Sequence, residues 1–263
     1  MPEGDTILKA ARTLHASLAG KRVDRCTSPI ESVANGDLEG HVITAVEARG
    51  KHLLVRFDDG RVLHTHMRMH GAWHLYAAAR PLRIGQHTRV VLTVGDRNAV
   101  CYRAPVVRLL SAMAARAIPG VTTLGPDVLG DAFDAASARR GIRTRSALSA
   151  AEALLAQRLV AGIGNVIKSE VLFICKIDPF GPVGALSDEQ IDQLLLEARR
   201  VMKASLTGAR ITRSALSRAR LWVYQRGGEA CYVCREPIAW RRAGDPARVT
   251  YFCPRCQDVA ASR

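Results

Sequence analysis

The hydrophobic and polar positions follow one period at the start of the chain, a second through its first half and the first again in the rest. After Asp5, the apolar residues Ile7, Leu8, Ala11, Leu14 and Leu18 recur at helical spacing. This predicts an amphipathic helix with Asp5 as its N-cap and Gly20 as its stop. From Val42 to Arg103 the pattern shortens to strand-like runs: Val42–Val46, Leu53–Phe57, Val62–Thr65, Trp73–Tyr76, Val90–Val94 and Ala99–Tyr102. Asp58-Asp59-Gly60 between two of them reads as a hairpin turn, and the set predicts a sandwich or barrel. The pattern weakens over Leu110–Thr122, where Ala114, Ala115, Arg116, Pro119 and Gly120 suggest an interdomain connection. Gly125-Pro126-Asp127-Val128-Leu129 then opens a helical half, with helices expected over Ala132–Arg140, over Arg145–Leu155 and from Asn165. Ser187-x-x-Gln190 is a capping-box start for one more helix, which carries Ile191, Leu194, Leu195, Ala198 and Met202 on one face.

Composition narrows the classes. The 263 residues suffice for one large domain or two ordinary ones, and 48% hydrophobic residues supply a core. A net charge of +14 and a pI near 10.1 suit a polyanion, nucleic acid first and a membrane surface second. No apolar run has the length of a membrane span, and the first residues lack a signal peptide's basic and apolar regions. A cytoplasmic protein is therefore expected, and its seven cysteines point to metal or free thiols rather than disulfides.

Several stretches carry candidate chemistry. Removal of Met1 would expose Pro2 as a secondary amine, partly neutral at neutral pH and so nucleophilic toward a sugar or carbonyl carbon. Its iminium has no N–H proton to lose and stays an electron sink, with Glu3 beside it as acid or base. Read without context, the same residues are a start codon and a helix cap. Lys51 heads a strand and by itself reads as a surface lysine. His64 and His66 share a strand face, which invites a metal. No cysteine or carboxylate joins them at ligand spacing, so His64–Gly71 reads better as a strand running into a loop with large side chains outward. The turn Gly162-Ile163-Gly164-Asn165 before a helix suits a phosphate, or a plain joint between helices. Lys203–Arg220 is basic, as a solvated linker or a groove lining. Cys231-x2-Cys234, eighteen residues, then Cys253-x2-Cys256 matches two zinc knuckles flanking a hairpin that bears Arg241, Arg242 and Arg248. Cys26, Cys101 and Cys175 read as core thiols.

Pro2-Glu3-Gly4, Lys51, Gly162-Ile163-Gly164-Asn165 and the four-cysteine finger together resemble the bacterial formamidopyrimidine-DNA glycosylase and endonuclease VIII family, over nearly the whole chain and in the family's order. The resemblance implies an α+β fold. An N-terminal β-sandwich with a leading helix spans 1–115 and a linker 116–130. A helix–two-turn–helix domain covers 131–220 and a β-hairpin zinc finger 221–263, with DNA in the cleft between the halves. Gly125–Leu129 and Cys101-Tyr102-Arg103-Ala104-Pro105-Val106-Val107 resemble the endonuclease VIII branch. The other branch has an Asp-Pro-Arg-Arg-Phe loop at the latter place, whose arginine and phenylalanine enter the duplex; it is absent here. Arg68-Met69-His70 lies where endonuclease VIII carries an inserted triplet of different residues.

The implied activity is that of a bifunctional glycosylase and abasic-site lyase in base excision repair, acting on oxidised bases, pyrimidines above all. Pro2 forms the Schiff base and Glu3 protonates the sugar. Lys51 grips phosphate, and Arg248 is tied to phosphate and to δ-elimination. Asn165 holds a backbone phosphate, Glu170 lies near the site, and Arg68, Met69 and His70 form the wedge. Cys231, Cys234, Cys253 and Cys256 hold one structural zinc ion. The partner is damaged DNA, duplex or single-stranded, with no membrane, and the protein is a monomer associated with the bacterial nucleoid. Two alternatives remain at this point: the 8-oxoguanine branch of the family, and a non-catalytic DNA-binding zinc-finger protein.

Overall fold

The computed structural model describes residues 2–82, 84–210, 212–213, 220–244 and 247–259. Met1, whose removal the Pro2 chemistry requires, and Arg218 of the basic stretch lie outside them. The chain divides into two compact units, Met1–Thr123 and Leu124–Arg263.

The first unit opens with α1 (Gly4–Leu18). Ile7, Ala11, Leu14 and Leu18 are buried on one stripe and join the core of a two-sheet sandwich. One sheet has the order β1 (Arg25–Thr27), β6 (Thr88–Val94), β7 (Arg97–Tyr102), β5 (Ala72–Ala77). The other runs β2 (Ile43–Arg49), β3 (His52–Phe57), β4 (Val62–His66), β8 (Val106–Leu110). A short helix, α2 (Glu31–Ala34), follows β1. Every strand pairing is antiparallel. Alternation sends Leu53, Val55, Phe57, Leu63, Val90, Leu92 and Cys101 into the shared core. There the indole of Trp73, on one sheet, donates to Thr65 Oγ1, on the other, over 3.1 Å. Leu54 and Val62 face the other side of their sheet and are covered by Ile118, with Val121 packed alongside.

The second unit contains α3 (Ala135–Arg143), α4 (Ala150–Leu155), α5 (Asn165–Ile174) and α6 (Asp188–Ala204), then a hairpin of β9 (Ala239–Ala243) and β10 (Arg248–Phe252). Here α5 is central: it packs against α4, α6 and β10, and every residue from Val166 to Phe173 is buried. No helix among the described residues is long and apolar enough to cross a membrane.

The expected elements differ from the observed ones in identifiable ways. Asp5 does not cap α1. The Glu3 carbonyl accepts the first helical bond from Ile7 N, which makes Glu3 the cap residue and places Asp5 in the first turn. An anion in that turn suits the helix dipole equally well. The helix expected from Ala132 begins at Ala135, because the Asp134 carboxylate accepts from Ala136 N and Ser137 N. The one expected from Arg145 begins at Ala150, where Ser149 and Glu152 form a reciprocal capping box. The Ser187–Gln190 box stands where the sequence places it. β1 and β8 are absent from the expected strands, the first being only three residues long and the second lying between the last expected strand and the stretch where the pattern fades.

Two neighbouring methionines differ sharply in burial, Met67 at 3% exposed and Met69 at 47%. Met67→Ala is expected to cost about 2–5 kcal/mol of stability and Met69→Ala under about 0.5 kcal/mol, read from denaturant unfolding of the two variants.

Candidate active site and DNA-contact residues

In the first unit, the burial of α1 fixes the start of the chain. Pro2 is half-buried, and Glu3, Gly4 and Asp5 are buried. Glu3, 1% exposed, is the cap residue at the head of a fifteen-residue helix. Gly50 and Lys51 form the two-residue turn between β2 and β3, closed by the pair Arg49↔His52. Gly50 takes φ +55°, and Lys51 is carried at the rim of the sandwich.

Arg68, Met69 and His70 form the turn from β4 to β5, where the chain crosses between the sheets. All three are exposed. Gly71 N donates to Met67 O over 2.9 Å and closes the turn. A Cβ at Gly71 would lie 2.8 Å from Met67 Cα and 3.0 Å from Ala104 Cα, so only glycine fits there. The link from β7 to β8 is just Arg103, Ala104 and Pro105, with Arg103 at φ +51°; it has no room for an inserted loop.

His64 and His66 do share a face, and the sequence reading missed their neighbour His52 on β3. His52 Nδ1 and His64 Nε2 lie 2.8 Å apart, and the rings of His52 and His66 meet edge to face at 4.6 Å. Burial lowers His52 to about 3, with His66, His64 and Lys51 adding repulsion. Burial likewise lowers His64 to about 4, helped by His66 and Arg108. His66 is lowered too, by burial first and then by Arg68 and Lys51. The three imidazoles are therefore neutral at pH 7 and add no charge beside Lys51. They are not among the described groups whose ligand atoms converge on one point; those are the four cysteines and an exposed set of His41, Asp58 and Asp59, where Arg61 already pairs with Asp59.

In the second unit, the turn before α5 has Gly162 at φ +98° and Gly164 as the cap residue. The side chain of Gln157, which the sequence did not single out, holds it: Nε2 donates to Leu155 O and Ile163 O, and Oε1 accepts from Gly162 N. Asn165 Nδ2 donates to Val249 O over 2.7 Å, and its Oδ1 accepts from Lys168 Nζ over 2.8 Å. The Asn165 amide thus ties the turn to β10, one residue from Arg248, which is exposed at the strand's start. Glu170 is 0% exposed. Its carboxylate accepts from Trp222 N at 2.7 Å, Val223 N at 2.9 Å and Tyr224 N at 2.8 Å, and from the Thr212 hydroxyl. It anchors the chain where it enters the hairpin region. Of the basic stretch, Arg213 lies over the rings of Trp222 and Tyr232.

The four cysteines of the hairpin gather their sulfurs within 4.8 Å of one another. Cys231 and Cys256 Sγ are 3.9 Å apart, Cys234 and Cys253 Sγ 3.4 Å. Tetrahedral zinc with ~2.3 Å Zn–S bonds sets sulfurs about 3.8 Å apart, so the set fits a zinc finger. Backbone N–H groups of Val233 and Cys256 point at Cys231 and Cys253 Sγ, as thiolates require. Elsewhere, Cys101 is buried and Cys26 and Cys175 half-buried; burial raises their thiols to about 12, 11 and 12.

Comparison with known proteins agrees with this arrangement. Residues 1–108 match the model of the formamidopyrimidine-DNA glycosylase N-terminal domain, and 124–215 that of the formamidopyrimidine-DNA glycosylase H2TH domain. The chain is 38% identical to a probable endonuclease 8 2 of Streptomyces coelicolor, over 100% of this chain and 96% of that protein. It is 35% identical to the DNA-(apurinic or apyrimidinic site) lyase Nei2 of Mycolicibacterium smegmatis, over 99% and 100%. In fold it resembles the Lactococcus lactis formamidopyrimidine-DNA glycosylase bound to abasic-site DNA, with a TM-score of 0.80 at 24% identity over 97% of this chain and 99% of that one.

The histidine trio makes stability depend on pH. Folded values below the ordinary 6.5 mean that the unfolded chain binds more protons as pH falls through 6.5 toward about 3–4, so stability is complete above 6.5 and lost below it. The melting temperature should fall between pH 7.5 and pH 5.0, and fall less in His64→Gln.

Proposed function

This chain belongs to the formamidopyrimidine-DNA glycosylase and endonuclease VIII family of DNA glycosylases and abasic-site lyases, and from that premise we propose that it excises oxidised bases, chiefly pyrimidines, through a Schiff base on Pro2. The observation that carries the reading is the buried Glu3 carboxylate, held at the head of α1 directly beside Pro2.

The chemistry follows from those two residues. A base within a duplex is out of reach and must be flipped, at a cost of a few kcal/mol. The exposed turn Arg68-Met69-His70 supplies a flexible thioether to fill the vacated space, with a cation and an imidazole beside it. The Pro2 nitrogen forms a bond to C1′ as the bond to the base breaks; the base leaves with the electron pair and takes up the proton that the nitrogen sheds. Glu3 protonates the ring oxygen, the sugar opens, and the cationic iminium results. The iminium acidifies the C2′ proton; its loss expels the 3′ phosphate in β-elimination. Lys51, on its hairpin turn, grips phosphate and assists that step. Arg248 contacts phosphate and serves the following δ-elimination. Asn165 holds a phosphate beside the lesion from the N-terminus of α5, where anions are favoured.

The four thiolates would hold one zinc ion, and four protein ligands leave no position for a reacting water, so its part is structural. The preference for pyrimidines is supported by the three-residue link of Arg103, Ala104 and Pro105, which lacks an arginine–phenylalanine insertion, and by the likeness to endonuclease 8 relatives. A panel of duplexes with defined lesions tests it: cleavage of oxidised pyrimidines should exceed cleavage at 8-oxoguanine opposite cytosine, and the reverse order would reject the preference.

Two tests address the mechanism. Borohydride should trap a protein–DNA adduct with protein whose intact mass shows Pro2 at the terminus, and none with protein that retains Met1, where the nitrogen is an amide. Glu3→Gln should lose base release yet keep some strand cleavage at a pre-formed abasic site; equal losses on both substrates would reduce Glu3 to a shaping role.

For the finger, Cys231→Ser should lose the metal and most DNA affinity, since binding of metal is coupled to folding of the hairpin. Atomic absorption well below one zinc per wild-type chain would contradict the four-thiolate site.

A further inference from the structure

Lys168 is a lysine with 0% of its surface exposed, on the face of α5 that meets the hairpin. Its Nζ donates to Asn165 Oδ1 at 2.8 Å, to Thr250 Oγ1 at 2.7 Å and to Val249 O at 3.3 Å. An ammonium group has three donors, and these three oxygens are neutral. Taking a cation out of water is costly unless such bonds meet it, so the arrangement holds only while all three acceptors keep their places. Two of them belong to the residues that directly follow Arg248. The third is the carbonyl oxygen of the amide whose nitrogen also bonds Val249 O, at 2.7 Å.

Strand alternation then matters. Residues two apart on β10 share a face, so Arg248 lies on the side of Thr250, which is 2% exposed and turned toward Lys168. The start of β10 is itself an exposed hairpin end, its pair Arg248↔Ala243 being the last before the turn. Nothing about a two-stranded hairpin would hold that end still by itself. We propose that Lys168 is the positioning residue of the strand-cleavage step: it locks Asn165 and β10 into one rigid unit, so that the Arg248 guanidinium and the Asn165 turn address the same phosphate. This rests on the reading of Arg248 given above. Lys168 touches no DNA in this scheme and acts through its two neighbours. Replacing it by an apolar residue removes the bond to Asn165 Oδ1, leaves that amide its bond to Val249 O, and loosens the strand next to Arg248.

The test uses the full-length protein and a duplex with a pre-formed abasic site, under single-turnover conditions with enzyme saturating. Products of β-elimination alone and of β,δ-elimination separate on a gel. Lys168→Met should lower the β,δ fraction by about five-fold or more while trapping by borohydride stays within about two-fold. Lys168→Arg, which keeps the donors, should restore most of that fraction. Thr250→Val, a milder change that removes one acceptor, should shift the split the same way and decides the matter if Lys168→Met loses zinc or fails to fold. The double variant Lys168→Met/Arg248→Ala should split its products as Arg248→Ala does, because a positioning residue has nothing left to position. An Arg248→Ala enzyme with a normal split would refute the role of Arg248, and this inference with it. A lowered split in Arg248→Ala beside normal splits in Lys168→Met and Thr250→Val would refute the inference alone. So would a double variant much worse than Arg248→Ala, which would mark Lys168 as merely structural.

Discussion

A charge removed from water must be met by hydrogen bonds, and that requirement organises the second unit. Helix α5 buries two ionisable side chains of opposite sign, Lys168 and Glu170, both at 0% exposure. Each meets the requirement with groups from the segment that follows the helical bundle. Glu170 collects three successive backbone N–H groups, from Trp222, Val223 and Tyr224. Lys168 collects the Val249 carbonyl and the Thr250 hydroxyl. Three consecutive backbone donors converging on one carboxylate fix the direction of the chain as a hydrophobic contact could not, because hydrogen bonds are directional and an unmet buried donor is expensive. Gln257 adds a third tie, its Nε2 donating to Ile177 O just past the end of α5.

The first unit achieves the same precision by a different route. Its fixed point is the head of α1, and the force that fixes it is apolar burial. Ile7, Leu14 and Leu18, each at 2% exposure or less, commit the helix to the sandwich core. A helix locked along its whole length leaves its first residue little freedom. A nucleophile at a chain terminus would otherwise be among the most mobile groups in a protein. Proposed covalent chemistry thus stands on the rigid side of a hydrophobic core, while the phosphate contacts proposed for Asn165 and Arg248 stand on polar ties that hold a small, exposed hairpin.

What the sequence disclosed follows from which signals are local. Helical stripes, the Ser187 capping box, the paired cysteine knuckles and the two-glycine turn depend on residues a few positions apart, and the structure has them as expected. The cap expected at Asp5 and the helix start expected at Arg145 differ from the observed ones because several residues of suitable type lie within a turn or so of each other, and hydrogen bonding chooses among them. Strand β8 was hidden because its partner β4 lies some forty residues earlier. The polar ties were out of reach for the same reason: Lys168 and Thr250 are 82 positions apart, Glu170 and Trp222 52. Lys168 in the sequence is one basic residue on an apolar helix, and Glu170 had only a family likeness to recommend it. His52, too, joined His64 and His66 only when two strands paired.

The hairpin shows why both kinds of tie are needed. Its core is small: Val223, Ile238, Cys231 and Cys253 are buried, with Phe173 from α5 completing the cluster. A segment of this size buries too little apolar surface to fold alone, which is the usual reason for a structural metal or a docking partner. The four sulfurs close the hairpin's base, but a metal there fixes only the residues next to the knuckles. Arg248 stands five positions before Cys253, at the opposite end of β10. Over that distance a two-stranded ribbon twists and bends readily. Only contacts along the strand itself can transmit the rigidity of the bundle to its far end, and Lys168 and Asn165 make those contacts at Val249 and Thr250. A metal on the four sulfurs and the buried lysine would therefore act on different ends of one short strand: the first on whether the hairpin folds, the second, in the role proposed above, on where its arginine points.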